Sequence, residues 1–100
     1  MKKLQLSSQF QSMILDLFAI ETFTSSSQTI AANGTSNFQF NVSKSGYTPI
    51  GILAVDPTNT NNVILVRFSL YDNTAYIRFR NPMSYAIDAT VAIKVLYTKN

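Results

Sequence analysis

Five carboxylates, Asp16, Glu21, Asp56, Asp72 and Asp88, are the only acids in the chain. Hydrolysis of a glycosidic bond needs two of them facing one another, and they stand singly, with no spacing that nominates a pair. Histidine and cysteine are both absent, which removes the commonest general base, the commonest metal ligand and the thiolate nucleophile together. "DPTNTNN", Asp56 to Asn62, and "YDNT", Tyr71 to Thr74, carry oxygen side chains of the kind calcium takes. Neither has the repeated carboxylates of a calcium loop, and Asp and Asn at hairpin tips are ordinary turn formers. No enzyme, metal or cofactor is therefore expected. "NGT" at 33 to 35 matches a glycosylation acceptor, which matters only on a secretory route. The remaining chemistry is recognition: Tyr47, Tyr71, Tyr76 and Tyr85, with Arg78 and Arg80, could stack on sugar rings or pair with acidic glycans. The same residue types are also favourable cross-strand partners on a sheet surface.

The elements that would position such residues are those of one domain, since 100 residues bury a single core. Charged residues are only 13% of the chain, about half the usual share, and Ser, Thr, Asn and Gln take their place. Such a neutral, polar surface is common in extracellular and virion-surface β proteins. The eight Lys and Arg residues are scattered, so no nucleic-acid partner is expected. The start, "MKKLQLSSQFQSMILDLF", has polar residues through any apolar core a signal peptide would need. No stretch approaches 18 uninterrupted apolar residues, and no membrane insertion is expected.

Phe10, Met13, Leu17 and Ile20 fall at spacings of three, four and three, which fit the seam of a short coiled coil. This predicts a helix or an arm over residues 1–20 that oligomerises or anchors the chain, followed by a second unit over 21–100. A seam of under two heptads is stable only when several chains share it. After Ile20 strands and turns alternate. Phe38, Phe40 and Val42 alternate with Gln39, Asn41 and Ser43; Ala75, Ile77 and Phe79 alternate with Tyr76, Arg78 and Arg80. Ala89, Val91, Ile93, Val95 and Tyr97 form one face of a long terminal strand. Six or seven short strands with polar loops predict an all-β fold, an antiparallel β-sandwich of jelly-roll or Greek-key type.

In "VILVRFSLY" Ile64, Val66, Phe68 and Leu70 are expected on one face, with Val63, Leu65, Arg67, Ser69 and Tyr71 on the other. The final strand likewise has Ala92 and Leu96 on its second face. Apolar residues on both faces call for a cover, and another copy of the chain is the simplest one. Phe10, Met13, Leu17, Ile20, Leu65 and Leu96 are therefore the expected oligomerisation residues. In "SKSGYTPIGILAV", Pro49 suits an edge or a strand start and Gly51 a bulge or a close backbone approach. Gly51→Val is accordingly expected to disturb folding or assembly.

Three stretches, "SSSQTIAANGTSNFQFNVSKSGYTPIGILAVD", "RFSLYDNTAYIRFRNP" and "AIDATVAIKVLYTKN", resemble the C-terminal β-modules of phage tail-fibre and other minor structural proteins, especially those of phages and prophages of low-GC Gram-positive and gut bacteria. The resemblance covers roughly residues 20 to 100; its most specific pieces are "GYTPIG", the "RN" at 80 and 81, and "VLYTK". It implies a non-enzymatic virion protein, made in the host cytoplasm without a signal peptide, that forms a homotrimer. Such a protein would be a tail-fibre tip, a head fibre or a baseplate decoration, in contact with other virion proteins and a host-surface glycan. On that reading the loops at Asn33, Asn59 and Asn73, with Tyr76 and Arg78, would face the ligand. A monomeric bacterial carbohydrate-binding or adhesin module is the alternative.

Overall fold

In the computed structural model, which describes residues 17–60 and 62–100, every element from Phe18 onward is a β-strand. They are β1 (Phe18–Thr24), β2 (Gln28–Ile30), β3 (Thr35–Asn41), β4 (Tyr47–Pro57), β5 (Ile64–Tyr71), β6 (Thr74–Arg80), β7 (Ile87–Ala89) and β8 (Val91–Lys99). All pairings are antiparallel and form three sheets, ordered β1-β8-β4, β2-β7 and β3-β6-β5. Strands β1 with β8, β2 with β7 and β3 with β6 are nested couples around the β4 to β5 connection. The fold is an all-β antiparallel sandwich.

Strict alternation builds its core. Phe38, Phe40 and Val42, then Ala75, Ile77 and Phe79, turn inward from the β3-β6-β5 sheet, and Val91, Ile93, Val95 and Tyr97 meet them from β8. Burying these side chains is the main stabilising contribution. Phe38 and Phe79 meet edge to face, their ring centroids 6.1 Å apart.

Ile20 does not belong to a helical seam. It lies in β1, where Ala19, Glu21 and Phe23 turn inward and Phe18, Ile20, Thr22 and Thr24 outward, a period of two set by pairing with β8. The first sheet thus begins at Phe18, three residues before the boundary expected at 21. Phe10, Met13 and Asp16 lie outside the described residues.

The expected long terminal strand is divided at Thr90, because Ala89 pairs with β2 whereas Val91 pairs with β4. The loop after β4 satisfies the backbone at this switch. Thr58 N donates to Thr90 O at 2.8 Å, and Thr90 N donates to Asn59 Oδ1, also at 2.8 Å. Ser25 Oγ accepts from Val91 N at 2.9 Å.

One polar side chain is wholly buried among the described residues: Asn81, just past β6. Its Nδ2 donates to Ile30 O (3.0 Å), Ala31 O (3.2 Å) and Tyr85 O (2.7 Å), and its Oδ1 accepts from Met83 N (2.9 Å). Its backbone N–H reaches Gly34 O at 2.8 Å. The side chain thus stands in for the sheet ladder where two loops meet, which accounts for an amide in the interior. At the other end of the core the Tyr97 hydroxyl donates to Val42 O, and Tyr97 packs edge to face on Tyr47. Lys44 lies over the Tyr47 ring and pairs with Glu21 at 3.0 Å.

Strand β4 is an edge strand that departs twice from its register with β8, leaving Ile50 and Leu53 without partners. Pro49, which has no N–H to give, sits in this edge just before the first irregularity. Gly51 follows it without a positive φ, and a Cβ built there meets nothing within 4 Å. No close backbone approach requires this glycine. Gly51→Val is therefore expected to keep folding stability within about 0.5 kcal/mol of the parent, measured by urea denaturation. Any larger effect would have to come through assembly, since Gly51 pairs with Leu96 on the outer face of the sheet.

Candidate functional site

The outer face of the β3-β6-β5 sheet is assembled by register. Polar residues of β3 that alternate with Phe38 and Phe40 lie beside those of β6 that alternate with Ala75, Ile77 and Phe79. Asn37 stands opposite Arg78 and Gln39 opposite Tyr76; Thr35 stands opposite Arg80. Strand β5 completes the rows: Arg67 opposite Arg78, Ser69 opposite Tyr76 and Ile64 opposite Arg80.

Arg67 reaches this face through a bulge. Leu65 pairs with Phe79 and Arg67 with Arg78, so Val66 has no partner. An extra residue in one strand reverses the sidedness of everything beyond it. Arg67 therefore shares the face of Arg78, and Phe68 and Leu70 share that of Ile77 and Ala75. The single apolar face expected for Ile64, Val66, Phe68 and Leu70 is not formed: Ile64 is on the outer side and Phe68 and Leu70 on the inner one. Phe68 is nonetheless 50% exposed, because the core does not extend over this part of β5.

Asn37, Gln39, Arg67, Ser69, Tyr76 and Arg78 line a shallow cleft of about 300 Å³. The Arg78 Nε donates to Asn37 Oδ1 at 2.8 Å, which orients that guanidinium. No carboxylate lines the cleft, and among the described residues neither Arg67 nor Arg78 forms an ion pair. Two cations facing each other across adjacent strands repel, and among the described residues no carboxylate offsets them. The arrangement can hold an anion flanked by amide and hydroxyl groups and an aromatic ring.

Of the residues expected to face a ligand, Tyr76 and Arg78 are neighbours in this cleft. Asn73, at the β5–β6 turn, lines an adjacent depression with Gln39, Asn41 and Thr74. Asn33 lies at the opposite end of the sheet, in the turn before β3, with φ 57°. Asn59 is occupied by Thr90 N and Asp88 O. The three loops do not converge on one surface. Gln39 was visible as part of a polar alternation, Asn37 extends that alternation by one step, and Arg67 was hidden by the bulge.

Of the expected oligomerisation residues, Ile20 and Leu96 are register partners on the outer face of the β1-β8-β4 sheet, and Leu17 directly precedes that sheet. Leu65 belongs to the other sheet and pairs with Phe79. The described carboxylates lie on separate elements. Glu21 is in β1 with Lys44, Asp56 in β4, Asp72 in the β5–β6 turn, and Asp88 in β7, where it accepts from Thr29 Oγ1.

Fold and face define an all-β sandwich module with a cationic, amide-rich cleft on one sheet and, on the outer face of another, the exposed Phe18 and Ile20 beside Leu96. Comparison with protein-family models, with characterised proteins and with solved structures finds no match to the chain.

Proposed function

We propose that the chain is a non-enzymatic structural module of a phage virion, a tail-fibre tip, head fibre or baseplate decoration, that assembles as a homotrimer and attaches to a host-surface glycan. The observation that carries the assembly is the outer face of the β1-β8-β4 sheet. Ile20, 57% exposed, lies beside Leu96, which lies beside Gly51. Phe18 stands one row away on the same face, which Thr22, Lys94 and Thr98 share, and the unpaired Ile50 and Leu53 of the edge strand β4 are exposed as well. Large apolar side chains exposed close together on a small domain mark an interaction site, and a symmetric assembly covers them with the same surface of another copy. The virion setting and the number three come from the resemblance of residues 20 to 100 to tail-fibre modules.

Light scattering on the purified protein at micromolar concentration is expected to return a multiple of the 11.1 kDa chain mass. Ile20→Asp, which places a charge on an exposed strand position, is expected to return the single-chain mass with an unchanged β spectrum. A monomeric parent protein would sink the assembly reading. It would favour a monomeric carbohydrate-binding or adhesin module, for which the cationic cleft is the supporting observation.

A further inference from the structure

We infer that the cleft between β3, β6 and β5 binds a carboxylate-bearing saccharide, with the guanidiniums of Arg67 and Arg78 on the sugar carboxylate. For its biological setting this rests on the attachment role proposed above; the site stands on its own geometry.

Four observations lead to it. First, the pairing of Arg67 with Arg78 is produced by the bulge at Val66, and with Val66 paired in regular register Arg67 would stand opposite Ile77, on the other side of the sheet. Folding gains nothing from opposing two cations on adjacent strands, whereas a bound anion would make the same pair favourable. Secondly, among the described residues the Asn37 carbonyl oxygen takes only the Nε of Arg78. The terminal guanidinium nitrogens remain available for the two-pronged contact that a planar carboxylate accepts. Thirdly, the cleft also offers Gln39, Ser69 and Tyr76. Amide and hydroxyl groups match sugar hydroxyls, and the half-exposed Tyr76 ring supplies an apolar surface for the C–H face of a pyranose. Fourthly, about 300 Å³ is at the lower end of the range for small-molecule clefts.

A nucleic-acid strand fits this face less well. Strands bind along grooves that carry cations over several nucleotides together with successive stacking rings. Here one tyrosine and two arginines line the cleft, and Arg80 lies one row beyond them, opposite Ile64. The face proposed for assembly belongs to the other sheet, so assembly through it would leave the cleft uncovered.

The test is titration of the full chain, followed by ¹⁵N chemical shifts or calorimetry. The probes are a sialylated trisaccharide, a uronic-acid tetrasaccharide, a neutral trisaccharide of matched size and a single-stranded oligonucleotide. Binding of at least one acidic saccharide is expected, with shifts confined to residues of β3, β5 and β6, weaker in high salt, and with no saturable binding of the neutral sugar. Arg67→Ala and Arg78→Ala are each expected to weaken it roughly tenfold or more. Arg78→Lys is expected to keep the charge yet lose most of the affinity, since lysine cannot reproduce the fork. Arg80→Ala is expected to change it by less than about threefold. Equal binding of neutral and acidic sugars, tighter binding of the oligonucleotide, wild-type affinity in both Arg→Ala variants, or no binding of any probe at millimolar concentration would each overturn the inference. Both arginines point away from the core, and an unchanged melting curve confirms that a variant is folded. Loss of sugar binding with an intact oligomer overturns this site alone, and a monomer that binds the acidic sugar overturns the assembly alone.

Discussion

Asn81→Leu is expected to destabilise the domain by about 3–5 kcal/mol, a large part of what a small domain has in reserve. Leucine keeps the branching and heavy-atom number of asparagine, so the loss comes mainly from hydrogen bonding, with a smaller part from crowding by the bulkier methyl groups. Without the amide, the carbonyls of Ile30 and Tyr85 and the N–H of Met83 lose their partners. Each unsatisfied buried group costs roughly 1–3 kcal/mol, less where water can enter. Asn81→Asp is the sharper probe. It places a carboxylate among carbonyl oxygens, which, with burial, holds its folded pKa above the unfolded value. A group shifted in that direction is tolerated while protonated, so the deficit is smallest at low pH and grows as pH rises through the carboxylate range. Urea midpoints at pH 4 and pH 7 measure this directly. If Asn81→Leu stays within 1 kcal/mol of the parent, the amide is not the joint that holds the two loops.

Tyr97 carries the second large effect. It is the largest of the fully buried side chains, and Tyr97→Ala is expected to cost about 3–5 kcal/mol through lost transfer energy and the cavity left behind. Tyr97→Phe keeps the ring against Tyr47, whose centroid is 6.5 Å away, and removes only the hydroxyl that donates to Val42 O. That change is expected to cost about 1–2 kcal/mol at neutral pH. Burial, and secondarily the negative charge of Glu21, raise the Tyr97 pKa above its ordinary value. The unfolded chain therefore releases this proton first, at about pH 10, while the folded chain still holds it. Stability from this group is full below about pH 10 and declines as pH rises through the interval up to the folded pKa. Tyr97→Phe should flatten that decline. Denaturation midpoints between pH 9 and pH 11.5 for the two proteins decide it, and parallel curves would mean that another group causes the loss.

Phe38, Phe40 and Val42 could be placed inward from the sequence because the period of two is a property of the extended backbone itself. The same holds for Ala75, Ile77 and Phe79. The turns were legible for a similar reason: Asn33 and Asp72, in "ANGT" and "YDNT", are the non-glycine residues that take positive φ among those described. Ile20 shows the limit. A spacing of three, four and three around it fits a helix, and its strand pairing with Leu96, some 76 positions away, has no local signature. Asn81 shows it again, since its bonding partners come from loops that only the fold brings together.

What the chain determined by itself is an all-β sandwich, the core faces of β3, β6 and β8, and the turns at Asn33 and Asp72. The tertiary structure decided which surfaces those residues make. One unpaired residue, Val66, turns Arg67 to the side of Arg78 and Phe68 to the side of Ile77. Inward and outward alternation is local and can be read along a strand, whereas a bulge is set by which residue of the neighbouring strand has no room for another partner. The cationic cleft is a product of that one register shift.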